Sequence, residues 1–320
     1  MRAFIFILCF VLPVAVAAQY QARYNYTTVG FQVNALNYFG DLNPKTTQLS
    51  TDLSLTRPGF GVDVSFKVYQ NIRLRTAFLW SRLRGDDSEA ADPDDSLAVF
   101  RYARNLHFRN DILELSQSIV IDLIGGRGRF YNRPNVVPYI FGGVAVVYSN
   151  PRAKGPDTLN YGGKWVALRP LRTEGQAKEY AAFHIVIPFG GGLRFRIGDR
   201  FDLAVEAGLR YTFTDYLDDV SGNYPDLENL DSDLARRMAN RTAETVAQGT
   251  GKARDMSRLY TLFNGTYTIM TTDGNGYPIL NGIGLTGDVR GREKKDLYLT
   301  TGFHLNYILN IKRYRPMKRR

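Results

Sequence analysis

The sequence predicts an all-β fold: an eight-stranded antiparallel transmembrane β-barrel with long extracellular loops and one loop helix. Three observations predict it. Apolar and polar residues alternate with period two over stretches of roughly ten residues or more, about twice what a soluble sandwich strand needs. The connections between these stretches are alternately long and short. After the first 18 residues no run of about 18 apolar residues occurs, so no helical span competes with the strands.

Residues 1–18, MRAFIFILCFVLPVAVAA, read as a cleaved secretory signal peptide. Arg2 supplies the positive end, Ala3 to Val16 the apolar centre, and Ala15, Ala17 and Ala18 the small residues of a cleavage site. This apolar run is shorter than the roughly 20 residues of a spanning helix. The only cysteine, Cys9, lies within it, which removes disulfides, thiol catalysis and Cys-based metal sites from the mature chain. Residues 19–311 are then expected to form the barrel.

Eight strands follow from the alternation. The first runs from Thr27 to Tyr38, with Val29, Phe31, Val33 and Ala35 on one face. The second, Gly59 to Tyr69, turns Phe60, Val62, Val64, Phe66 and Val68 to lipid, and Asp63, Ser65 and Lys67 inward. The third, Ile72 to Arg84, directs Arg73 and Arg75 inward opposite Leu74, Phe78 and Trp80. In the fourth, Asp111 to Ile124, Glu114 and Asp122 face the interior. The fifth, Pro138 to Ser149, is apolar on both faces and has no evident orientation.

A hairpin supplies the sixth and seventh strands. Phe183 to Ile197 carries Arg194 and Arg196 on its polar face, Gly198-Asp199-Arg200 turns the chain, and Phe201 to Phe213 carries Glu206 and Arg210. The eighth is Asp296 to Ile311. Short or moderate connections follow strands two, four and six, and long ones follow one, three, five and seven. Outer-membrane barrels have short periplasmic turns and long extracellular loops, and an even strand number puts both termini in the periplasm. The longest loop, 214–295, contains a helix-like stretch from Asp226 to Gln248, with Leu227, Leu230, Leu234 and Met238 spaced to pack on the barrel mouth.

The lumen of an eight-stranded barrel is just wide enough to be filled by side chains. The inward-facing charges Asp63, Arg73, Arg75, Glu114, Asp122, Arg194, Arg196, Glu206 and Arg210 are expected to pair into a plug, because isolated buried charges are costly. No catalytic site is expected: His107, His184 and His304 lie in a loop and two strands, outside any hydrolase, zinc or nucleotide motif. No cofactor or metal is expected either. Asp215, Asp218 and Asp219 lack calcium-loop spacing and read as a solvated turn leaving strand seven. The formal net charge is +10, but six of the positive charges (Lys312, Arg313, Arg315, Lys318, Arg319, Arg320) sit in the last nine residues. In an exported chain this basic tail, 312–320, suits docking to an acidic partner in the periplasm rather than nucleic acid.

Several stretches resemble a family of small Bacteroidota outer-membrane barrels that includes PorG, a component of the type IX secretion system. They are LNYFGDLNP (Leu36 to Pro44), PYIFGGVAVVYSNP (Pro138 to Pro151), WVALRPLRTEGQ (Trp165 to Gln176), IPFGGGLRF (Ile187 to Phe195) and YTFTDYLDDVS (Tyr211 to Ser221). The specific part is TEGQ followed by TDYLDDVS. The resemblance implies a structural or assembly component of an envelope complex, in contact with a periplasmic ring lipoprotein and with outer-membrane lipid. A lipid-modifying enzyme and a small barrel of other role are the alternatives. The length of loop 214–295 and the KRYRPMKRR extension depart from the family pattern.

Overall fold

A computed structural model of the chain describes residues 26–42, 54–91, 98–125, 132–262, 269–272, 277–280 and 282–309. The expected signal peptide and basic tail lie outside these residues. Eight long strands dominate: β1 (Thr27–Phe39), β2 (Arg57–Lys67), β3 (Ile72–Asp86), β4 (His107–Asp122), β5 (Val136–Tyr148), β6 (Phe183–Arg196), β7 (Phe201–Thr212) and β8 (Leu297–Ile308). Each pairs antiparallel with the next. β8 pairs back onto β1, with Phe39 opposite Leu297 and Thr28 opposite Ile308. Closure leaves no sheet edge, and every strand finds its backbone partners without water.

The two faces of each strand sort by burial. Phe31, Val62, Ile119, Ile185 and Phe303 are half or more exposed on the outside, as are their neighbours two residues away along each strand to a lesser degree. A continuous apolar band of this kind is stable only against lipid. Among the described residues no helix is long and apolar enough to cross a membrane, so strands do the crossing. β5, whose orientation the sequence left open, buries Val137, Tyr139, Phe141, Ala145 and Val147 and exposes Ile140 and Val144.

Two barrel ends differ sharply. At the turn end, β2 meets β3 through 68–71 and β6 meets β7 through 197–200. At the loop end, β3 and β4 continue their pairing to Asp86 and His107, beyond the span expected for the fourth strand. Two short helices, α1 (Asp87–Ala90) and α2 (Val99–Arg104), join them. A small hairpin, Arg152–Lys154 with Trp165–Ala167, extends the sheet from β4 above β5.

The single helix expected over Asp226 to Gln248 is corrected. The segment forms a 3-10 turn at Leu227–Asn229, then α3 (Asp233–Ala239), then a strand at Val246–Ala247. Ser232 caps α3 by accepting from the Ala235 N–H. Asn240 ends it, because its side-chain oxygen accepts from both the N–H and the hydroxyl of Thr242 and so competes with the next helical turn. The apolar side of α3 packs on other loops, Met238 against Ala153 and Leu168, and Ala235 and Ala239 against Ile279. A further helix, α4 (Met256–Leu262), completes this loop layer.

Candidate functional site

The lumen is layered. Nearest the turn end, Asp122 accepts from Arg73 Nε at 3.2 Å and Arg194 Nη1 at 2.9 Å, and Arg73 also donates to the Tyr26 hydroxyl. One layer up, Glu206 receives two hydrogen bonds from Arg75, at 2.6 and 3.2 Å, and one from the Tyr139 hydroxyl at 2.9 Å. His304 Nε2 stands 3.9 Å from the same carboxylate, whereas His184 meets Ser149 instead. Higher still, Glu114 accepts from the Tyr298 hydroxyl and lies 3.6 Å from Arg210, which donates to Thr300. Gly192 stands in register between Tyr139 and Glu206. A Cβ there would come within 2.7 Å of the Tyr139 ring, so the glycine opens the path by which that ring reaches Glu206.

Two residues assigned to this network sit differently. Asp63 is held by neutral donors, Gln32 at 2.9 Å and Ser65 at 3.2 Å, rather than by an arginine. Arg196 lies at the turn end of the lumen, where it lines a small cavity with Arg73, Asp122 and Arg194 and bonds Asp199 in the turn. Its register partner Asp202 is already taken by Arg133 at 2.9 Å. Arg133 comes from the connection between β4 and β5, where no alternation exists to mark it. The tyrosine hydroxyls also escaped the sequence reading, though Tyr298 falls on the inward position between Leu297 and Leu299. The cavities left among these residues measure about 10 and 20 Å³, room for a water each and no solute. The basic tail residues Lys312, Arg313, Arg315, Lys318, Arg319 and Arg320 lie outside the described residues.

Above the charged layers the lumen becomes apolar. Leu36, Leu83, Phe108, Ile112, Val147, Val186 and Tyr298 line it, and Leu217 from the connection after β7 fills its centre with no exposed surface. Both peptide groups of Leu217 are pinned: its N–H donates to Asp296 Oδ2 at 2.9 Å and its carbonyl accepts from Asn110 at 2.8 Å. Asp296 also accepts from the Tyr38 hydroxyl at 2.7 Å. The acidic run is therefore a buried plug, not the solvated turn expected of it, since Asp215, Asp218 and Asp219 are all nearly inaccessible. Burial pushes the Asp215 carboxyl up to about 7. Asp218, buried beside Asp296 and Asp41, lies well above the usual carboxylate range.

The plug is where TEGQ and TDYLDDVS meet. Thr173 and Tyr180 donate to Asp219 at 2.5 and 2.7 Å. Glu174 accepts from the N–H groups of Ser221 and Gly222 and from Arg290 at 2.9 Å. Gly175, at φ +69, makes the turn that presents Glu174. Burial raises the Asp219 carboxyl to about 6 even with Arg290 and these two hydroxyls opposing the rise. Arg104 bonds both oxygens of Asp87 and the carbonyls of Arg290 and Asp41. Two arginines thus tie all four long loops into one cap. Among the described residues no group of three or more His, Cys, Asp or Glu side chains has the arrangement of a metal site.

A closed barrel with an apolar exterior, a filled lumen and long loops at one end defines an integral membrane protein of the outer-membrane β-barrel class. Within that class the chain belongs to the family described as a domain of unknown function, DUF6089, whose model matches residues 1–236. No curated protein sequence matches it. Solved structures similar to it include Neisserial surface protein A, at 7% identity and TM-score 0.35, covering 89% of this chain and 97% of that one. The attachment invasion locus protein Ail of Yersinia pestis matches at 8% identity and TM-score 0.35, covering 89% and 99%. OprG of Pseudomonas aeruginosa matches at 7% and 0.36, covering 90% and 98%. At such scores the fold assignment rests on this chain's own strand pairing.

Proposed function

We propose that the protein is a structural or assembly component of an envelope complex, and that the complex is the type IX secretion machine, with a periplasmic ring lipoprotein as partner. The observation that supports a non-conducting role is the lumen: two cavities among the described residues of the ion-paired layers are water-sized, and Leu217 packs in the apolar core above them. TEGQ and TDYLDDVS, which carry the resemblance, are occupied in holding that seal. In the proposed orientation the turn end faces the periplasm, and the basic tail from Lys312 to Arg320 follows β8 there, where its charge suits an acidic docking surface.

The test is co-purification from detergent-solubilised envelopes, with the full chain and with Arg313 to Arg320 deleted, each at low and high salt. The full chain should retain a stoichiometric periplasmic partner that is lost on deletion and weakened by salt. A truncated barrel that keeps the same partners at the same salt, or steady conductance of the intact barrel in planar bilayers, would overturn this reading.

A further inference from the structure

At the loop end, beside the junction of β8 and β1, lies a cavity of about 480 Å³, within the size range of small-molecule sites. Its lining includes Phe39 and Leu297, which pair in register at the loop ends of β1 and β8, Phe39 buried and Leu297 half-buried. Further along the same two strands the outer face exposes Val33, Phe303 and Leu305. Three exposed cations on one short segment, Arg292, Lys294 and Lys295, line it and make no ion pair among the described residues. Of the carboxylates on its wall, Asp41 accepts from the backbone N–H of Arg292 and Asp288 from that of Leu285.

A second, independent observation comes from Tyr224. Its side chain lines the same cavity and is 3% exposed, yet its hydroxyl has no hydrogen-bond partner. Buried hydroxyls without partners are uncommon and costly, and one beside an open, cationic space is satisfied by whatever fills it. Three cations and a hydroxyl donor above an apolar strand face match one chemistry: a phosphate attached to acyl chains. We propose that this cavity binds the phosphorylated headgroup of a membrane lipid in the leaflet on the loop side, with the acyl chains lying along β8 and β1. The site is separate from the lumen and the tail and does not depend on any protein partner.

The purified full-length barrel in detergent is titrated with diphosphoryl lipid A, with the same lipid after enzymatic dephosphorylation, and with inorganic phosphate. Binding is read by native mass spectrometry. Diphosphoryl lipid A should bind saturably, and removing its phosphates should weaken binding by about tenfold or more, as charge-assisted contacts require. Replacing Arg292, Lys294 and Lys295 together with Ser should weaken it by about tenfold or more as well. Tyr224→Phe removes a hydroxyl that bonds nothing in the protein, so it should weaken binding by about threefold or more while leaving heat-modifiable migration unchanged. If the triple variant does not fold, Tyr224→Phe decides. Absence of saturable binding, equal binding of the dephosphorylated lipid, unchanged affinity in Tyr224→Phe, or inorganic phosphate competing at the concentrations at which the lipid binds would each overturn the proposal. The last result would make this a site for free phosphate.

Discussion

Replacing Glu206 with Gln should destabilise the barrel through Arg75. In the native lumen the Glu206 carboxylate takes two hydrogen bonds from the Arg75 guanidinium and one from Tyr139, and Arg75 is only 8% exposed. Glutamine keeps one carbonyl oxygen, enough for Tyr139 or one Arg75 nitrogen. Its NH₂ group then faces a second donor, and a buried guanidinium loses its counter-charge. Breaking a buried pair by removing one partner costs about 3–5 kcal/mol, and the retained acceptor places this change near the lower end, about 3 kcal/mol. For a domain of this size that corresponds to roughly 6–12 °C in unfolding temperature. The assay is the temperature at which the folded barrel loses its heat-modifiable migration on gels. The double variant Arg75→Met with Glu206→Gln should recover at least half the loss, because removing both charges leaves none unpaired. If Glu206→Gln unfolds within about 2 °C of wild type, or if the double variant shows the sum of the single losses, then Arg75 is solvated or paired elsewhere and the reasoning fails.

Leu217→Ala empties the centre of the mouth core and should cost about 2–5 kcal/mol, felt first as opening of the plug; trypsin should cut the connection after β7 faster on a barrel that still migrates as folded. The raised carboxyls of Asp215, at about 7, and Asp219, at about 6, bind protons more tightly in the folded cap than in an unfolded chain. Their contribution to stability is complete below about pH 4 and disappears as pH rises through 6 and 7, so moving from pH 5 to 8 should destabilise the cap and speed its proteolysis. Slower cleavage at pH 8 would contradict the burial of the acidic run. A cysteine at Lys252 should be labelled by an impermeant reagent on intact cells and one at Asp199 should not; the opposite pattern would invert the barrel.

The barrel was legible in the chain because its signal is local. Side chains alternate across a strand with period two wherever the backbone is extended, so Val29, Phe31 and Val33, or Val62 and Val64, announce a lipid face without knowledge of their neighbours. The parity of long and short connections then closes the count at eight, and the strand bounds agree to within a few residues at most ends. The inward charges on those strands are visible for the same reason.

What the tertiary structure decided is which of these residues meet. Arg75 and Glu206 are brought together by closure of the sheet across the lumen, and no local pattern distinguishes that pairing from the others open to the same charges. Arg133, from an unpatterned connection, takes Asp202, and Arg196 bonds Asp199 in the turn. The helix expected from Asp226 begins only at Asp233 and stops at Ala239, since its leucine spacing says nothing about Asn240 bonding Thr242 or about Val246 joining a hairpin. TDYLDDVS reads as a polar turn and becomes the barrel's seal only because Asp296, Asn110 and the Thr173-Glu174 pair reach it from three other parts of the chain. Alternation is a property of one backbone segment, whereas burial of a carboxylate depends on donors that chain folding alone can assemble around it.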